Sequence, residues 1–277
     1  MRRRMAAALV TLLCLVALSG CQTEVGEGLT VTVLDVGKAD CIVVQEMAGG
    51  TLIVDTGTEE SADTMLSFLD RQGIEKVDLL ILTHMDKDHI GGAAALLEAM
   101  PVERVLQANY DKDSDESAAY YAALAQAERT PERLSQTTEL SLGKAEIRVI
   151  PGRQDTYEQS NDYSLMTELQ YGTRRFLFAG DAERERLQEY LDETPQQFDF
   201  LKVPHHGGKE KNSALFFAAV SPAYAVITCS QEEPADEEVL ALLKQTGARV
   251  YQTVDGTVTA RCDGRGLAVQ QTQEDNT

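Results

Sequence analysis

Four apolar runs in this 277-residue chain stop on the same kinds of residue. Leu79-Leu80-Ile81-Leu82 runs into Thr83-His84-Met85-Asp86-Lys87-Asp88-His89-Ile90-Gly91-Gly92, and Phe176-Leu177-Phe178-Ala179 into Gly180-Asp181. Leu201-Lys202-Val203-Pro204 runs into His205-His206-Gly207-Gly208, and Leu52-Ile53-Val54 into Asp55-Thr56-Gly57. Short apolar runs bounded by Gly and Pro read as buried strands. Carboxylates and imidazoles therefore collect at strand ends. The chain has only four His, and all of them lie in two of these stretches.

Further strand patterns fall at residues 29–34, 42–45, 145–150, 165–171, 224–229, 249–253 and 257–261, with Tyr171-Gly172-Thr173 as a hairpin turn. Helical spacing appears at 61–71, 93–100, 116–129, 183–191, 213–219 and 237–244. This order predicts an α/β domain of two similar halves rather than a doubly wound parallel sheet. With 43% hydrophobic and 25% charged residues the chain can bury a large core, which excludes a disordered polymer. The acidic run 111–116 reads as a solvated loop entering a helix.

The N-terminus reads as a processing segment. Arg2, Arg3 and Arg4 precede an apolar run from Met5 to Leu18, too short for a spanning helix, and Leu18-Ser19-Gly20-Cys21 looks like a bacterial lipobox. The expectation is a signal over 1–21, lipid on Cys21, a polar tether over 22–28 and a domain over 29–277, exported and held on the outer face of the cytoplasmic membrane. Processing removes three Arg and no acid, so the formal charge moves from −20 to −23. Such a balance excludes an extended basic footprint for nucleic acid. Cys41, Cys229 and Cys262 remain in the domain and read as buried thiols.

Side chains two apart on an extended segment point the same way, so His84 and Asp86 can share one ion. Asp88 and His89, on a turn relaxed by Gly91 and Gly92, can face a second ion. Asp181 is placed to bridge two cations, one of His205 and His206 can complete a shell, and Asp55 supports the ligands. Neutral imidazole and carboxylate suit Zn²⁺, Mn²⁺ or Fe. The alternative, with Asp88 as a helix cap and His84 as a loop histidine, leaves unexplained why the other His recur after another strand.

The His-x-Asp-x-Asp-His run, Gly180-Asp181 and His205-His206-Gly207 resemble the metallo-β-lactamase superfamily. More narrowly, Leu34-Asp35-Val36-Gly37-Lys38-Ala39-Asp40, Asp86 in place of a His, Asn161-Asp162-Tyr163-Ser164-Leu165 and Lys202-Val203-Pro204-His205-His206-Gly207 resemble the hydrolase domain of the ComEC family of DNA-uptake competence proteins. The resemblance implies an αββα sandwich with two mixed sheets flanked by helices, holding two divalent ions, Zn²⁺ or Mn²⁺. It assigns His84 and Asp86 to one ion, Asp88 and His89 to the other, Asp181 as the bridge and His205 as a further ligand. His206 is then the substrate contact or general acid, and Asp88 the group that orients water or takes its proton. The spacing by itself leaves open which of the two His ligates. Asp35, Asp40, Asn161, Ser164 and Lys209 fall in motif positions with supporting or substrate-binding roles.

This sequence departs from the family pattern in lacking the third-motif His, for which Asn161 and Asp162 are the nearest substitutes. Ala39, Gly208 and Glu233-Pro234 also depart from it, and no multispan channel accompanies the domain. The implied activity is metal-assisted hydrolysis of phosphodiesters in nucleic acid, nucleotides or envelope phosphoesters. The charge of the processed chain disfavours long polyanions. Lys38, Lys202, Lys209 and Lys211 form either a local basic rim or ordinary solvated lysines. The alternatives are a carbonyl-directed lactonase or β-lactamase, and a weakly active accessory lipoprotein of a DNA-uptake system.

Overall fold

The computed structural model of the chain describes residues 27–193 and 195–272. The signal, Cys21 and most of the tether lie outside the described residues. Strands β1 (Leu29–Val33), β2 (Cys41–Glu46) and β3 (Gly50–Thr56) form an antiparallel meander. Strands β4 (Val77–Leu82), β5 (Val102–Ala108) and β6 (Glu132–Leu134) extend it in parallel. The crossovers carry α1 (Ala62–Arg71), then α2 (Lys87–Ile90) with α3 (Ala93–Ala99), then α4 (Asp115–Gln126).

A second sheet starts with the antiparallel strands β7 (Thr138–Leu142), β8 (Ala145–Ile150), β9 (Met166–Tyr171) and β10 (Arg174–Phe178). It continues in parallel through β11 (Phe200–Lys202), β12 (Tyr224–Ile227) and β13 (Arg249–Gln252), over α5 (Arg184–Leu191), α6 (Ser213–Val220) and α7 (Glu237–Gln245). The two expected halves thus each supply a sheet. The last hairpin, β14 (Thr257–Cys262) and β15 (Leu267–Thr272), instead returns to the first sheet beside β1. The orders are β15-β14-β1-β2-β3-β4-β5-β6 and β13-β12-β11-β10-β9-β8-β7.

Alternation along the apolar strands explains the layers. Leu52, Val54, Leu79 and Ile81 face Ile147, Val149, Phe176 and Phe178 between the sheets. Ile53, Leu80 and Leu82 face the opposite way onto Met65, Leu69 and Leu96 of α1 and α3, while Leu177 and Ala179 face Leu187, Phe216 and Phe217 of α5 and α6. Strands buried on both faces must be apolar at every position, which produces the continuous runs in the sequence. The result is an αββα sandwich.

Strands β5, β6, β7 and β15 were not among the expected ones. Strand β6 is only 3 residues long, and β15 alternates half-buried with exposed positions, so neither carries a strong apolar signal. Cys41, Cys229 and Cys262 are buried and free. Among the described residues, no helix is long and apolar enough to cross a membrane.

Candidate metal centre

The two sheets present the C-terminal ends of their parallel strands side by side, the position where open α/β sheets bind ligands. Asp55, the penultimate residue of β3, has a left-handed φ of 56°. Strand β4 leads into His84, Asp86 and α2, which carries Asp88 and His89. Strand β10 leads through Gly180, at φ 54°, to Asp181, and β11 leads to His205 and His206, at φ 49° and 51°. Backbone hydrogen bonds sew these ends together: Leu165 to Thr83, Asp40 to Asp88, and His205 to Gly180.

Asp88, His89, Asp181 and His206 each bring one ligand atom to within 4.8 Å of the others. His206 Nε2 lies 3.1 Å from Asp181 Oδ2 and 3.3 Å from Asp88 Oδ2, and His89 Nε2 lies 3.3 Å from Asp181 Oδ2. Neighbouring donors on one ion with bonds of roughly 2.0–2.2 Å sit about 3–3.5 Å apart, so these spacings fit a shared cation. The Nε2 atoms of His84, His89 and His206 are buried and without a hydrogen-bond partner. A buried polar atom left this way is costly unless something binds it.

The opposite ring nitrogens explain why the Nε2 lone pairs face inward. Thr228 Oγ1 donates to Asp40 Oδ1 at 2.7 Å, so it can only accept from His206 Nδ1, 2.9 Å away. Thr83 Oγ1 donates to Asp55 Oδ2 at 2.6 Å and therefore accepts from His84 Nδ1 at 3.1 Å. His89 Nδ1 donates directly to Asp55 Oδ2 at 2.8 Å. Each ring thus carries its proton on Nδ1 and turns Nε2 to the centre, the form in which imidazole binds a metal.

Electrostatics make the same demand for positive charge. Burial and neighbouring His89 press His84 down to about 3, which keeps it neutral. Burial also opposes charging His89 and His206, yet Asp181, joined by Asp55 at His89 and Asp88 at His206, raises both. Burial would raise Asp181, but His206, His89 and Lys202 hold it well below the usual carboxylate range. Bound cations would satisfy the same carboxylates while leaving the rings neutral.

His84 and Asp86 stand beside this group, His84 Nε2 lying 3.9 Å from Asp86 Oδ1 and the His84 and His89 rings 4.0 Å apart. Ser160 Oγ donates to Asp86 Oδ2 at 3.0 Å. Asn161 and Asp162 do not stand in for the missing His. Asn161 Nδ2 donates to Glu183 Oε1, and Asp162 Oδ1 receives the backbone N–H of Arg186 at the start of α5. Ser164 Oγ accepts the Asp181 backbone N–H at 3.1 Å. Asp35 shapes its own loop by accepting from the Gly37 N–H, while its backbone N–H binds Thr257.

Two expectations need correction, and one open alternative is decided. His206, not His205, joins the ligand cluster. Left-handed backbone at both residues prevents the simple alternation of a strand, and His205 turns to Glu183 and Glu210 at 3.5 and 3.4 Å. Lys209 does not reach the centre, because its ammonium pairs with Glu238 at the surface. The basic rim does not form either, since Lys38 pairs with Glu233 and Lys202 is fully buried.

Lys202 is the most consequential residue whose role sequence reasoning misplaced, since it is neither a rim lysine nor a solvated one. Its ammonium binds Asp40, donates to Gly180 O at 3.1 Å and lies 3.4 Å from Asp181 Oδ1. A lysine inside the apolar run Phe200-Leu201-Lys202-Val203 was the available signal. Thr83 and Thr228, which set the imidazole tautomers, carried none.

The family model described as the metallo-beta-lactamase superfamily matches residues 34–230. The chain is 27% identical to ComE operon protein 3 of Bacillus subtilis (strain 168), covering 92% of this chain and 35% of that protein. It is 28% identical to competence protein ComA of Neisseria gonorrhoeae, covering 71% of this chain and 26% of that protein. The chain therefore spans about a third or less of the length of these relatives. The crystal structure of the metallo-beta-lactamase fold protein YhfI from Bacillus subtilis superposes with a TM-score of 0.59 at 11% identity, over 88% of this chain and 100% of that one.

Proposed function

The chain belongs to the metallo-beta-lactamase superfamily, with likeness to ComEC-family proteins over most of its length, and we propose that within it the protein is a phosphodiesterase dependent on two divalent cations, Zn²⁺ or Mn²⁺. The observation that carries this reading is the convergence of the buried, unpartnered Nε2 atoms of His89 and His206 on the carboxylates of Asp88 and Asp181, with the equally unpartnered Nε2 of His84 facing Asp86 beside them. Asp88, His89, Asp181 and His206 would hold one cation and His84 and Asp86 the other, with Asp181 available to both. When bound, such cations lower the pKa of a coordinated water and neutralise charge developing on the attacked group.

The chain's own residues supply orientation and proton handling. Asp55 and the Asp40–Thr228 pair lock the imidazoles, so the ligand atoms do not have to be ordered when substrate arrives. Lys202 holds one oxygen of Asp181 and leaves the other turned to His89 and His206. Asp88 is the most open member of the four, with its side chain 26% exposed, and is the group placed to orient the attacking water or take its proton. His206 acts as a ligand in this scheme.

Three carboxylates among six donors favour hard cations and the oxygen-rich, anionic phosphodiester. The resemblance of the motifs to DNA-uptake competence proteins brings nucleic acid into consideration. A charge of −20, or −23 after processing at Cys21, repels a long polyanion and favours nucleotides, short phosphodiesters or envelope phosphoesters. We include lipid anchoring through Cys21 on the outer face of the membrane in this proposal; Cys21→Ser should release the protein from the membrane fraction.

Full-length protein loaded separately with Mn²⁺ and Zn²⁺ tests the chemistry on an activated phosphodiester, single-stranded DNA and a lactone. The phosphodiester should be cleaved, with activity lost in His206→Ala and Asp181→Ala. Lactone hydrolysis without phosphodiester cleavage would refute the substrate class.

A further inference from the structure

Resting on the two-cation reading, we propose that Lys112 is a built-in competitor for one metal position: its ammonium holds Asp86 and must be displaced before a divalent ion binds at His84 and Asp86. The two positions then fill in sequence and with unequal affinity.

Lys112 Nζ lies 2.7 Å from Asp86 Oδ1, the same oxygen that faces His84 Nε2 at 3.9 Å. His84 is fully buried and its Nε2 has no partner. The other carboxylate oxygen of Asp86 is engaged by Ser160 Oγ. The ammonium therefore neutralises, as an ion pair, a buried oxygen that has no hydrogen-bond partner and that an ion at this position needs. Two cations on one oxygen repel, so the ion and Lys112 exclude each other there.

The surrounding structure keeps Lys112 in this role. Two residues before it, Tyr110 accepts the Met85 N–H at 2.7 Å, between His84 and Asp86. Tyr110 also stacks on Tyr163 at 4.0 Å, in the same short turn that presents Ser160 to Asp86. The loop carrying Lys112 is thereby braced against the ligand loop. Reading residues 111–116 as a wholly solvated loop is corrected at this residue, whose side chain is 35% exposed.

The inequality between the positions follows from the donors. Asp88, His89, Asp181 and His206 form a complete group of four. The other position offers only His84 and Asp86 of its own, and one of these is already paired. In the group of four, Lys202 touches Asp181 only through Oδ1 and leaves Oδ2 to face His89 and His206, so a lysine stands on the ion-facing oxygen at the His84–Asp86 position and not at the other.

Calorimetric titration of metal-stripped, full-length protein with Mn²⁺ alone tests the proposal without relying on activity. Wild type should show a tight step and a weak step. Lys112→Met should tighten the weak step about tenfold, a size set by removing a partly screened ion pair together with a nearby cation. The tight step should stay within about twofold. Lys112→Arg, which keeps the charge, should titrate like wild type, and so should Lys209→Met at its separate surface pair. Two steps that Lys112→Met leaves unchanged overturn the role of Lys112 and leave the metal centre standing. Absence of any binding step overturns both.

Discussion

Replacing Lys202 with Met should destabilise the metal-free protein strongly, through the charges left behind. Lys202 is fully buried, and its partners Asp40 and Asp181 have side chains only 1% and 4% exposed. Removing the ammonium leaves two buried carboxylates without their shared cation and takes one of two donors from the Gly180 carbonyl, which keeps the His205 N–H. Breaking a buried pair by removing one member costs about 3–5 kcal/mol. At roughly 2–4 °C per kcal/mol for a domain of this size, the melting temperature should fall by about 6–20 °C. Circular-dichroism melts in a chelator are the assay, because bound metal would mask the loss. Burial opposes charging Lys202, but Asp40 and Asp181 raise its pKa. Its contribution is therefore fully present below the unfolded lysine value of about 10.4 and is lost only as pH rises through the folded value. The deficit should be constant from about pH 7 to 9. Lys202→Met combined with Asp40→Asn should recover most of the loss, since removing both members of a buried pair is close to neutral. A single variant melting within about 2 °C of wild type, or a double variant worse than the single, would refute the argument.

His206→Ala should lower bound metal by one ion per chain and cut hydrolysis at least about a hundredfold, whereas His205→Ala should keep full metal content in elemental analysis. The reverse outcome would restore the assignment drawn from sequence. Asp55→Asn removes the charged acceptor that orients His89 and should weaken metal binding about 10–100-fold in a chelator competition. His84, depressed to about 3 in the folded protein, cannot take the proton that an unfolded His accepts near pH 6.5. The unfolded state binds more protons in this window, so metal-free wild type should lose stability as pH falls from about 6.5 toward 3. In His84→Asn the slope of melting temperature against pH should be shallower; an unchanged slope would assign the acid sensitivity to other groups.

The apolar runs and their terminal residues were legible because a strand buried on both faces leaves no position for a polar side chain until it emerges. Leu79 through Leu82 and Phe176 through Ala179 carry that signal, and it located His84, Asp86, Asp88, His89 and Asp181. The short strand β6 and the half-exposed strand β15 lack it, because an edge strand needs apolar residues on one face at most.

The sequence by itself determined the α/β class, the donors at the strand ends and the strongly acidic charge. Tertiary structure alone decided which of two adjacent His turns inward, which tautomer each ring adopts, and that Lys202 and Lys112 belong to the centre. The reason is that these properties depend on neighbours remote in the chain. Thr228, which accepts from His206, is 22 positions away from it, and Asp40, which commits the Thr228 proton, is 188 positions from Thr228. A side chain's orientation and charge state follow from the partners that folding brings to it, and local spacing holds no record of them.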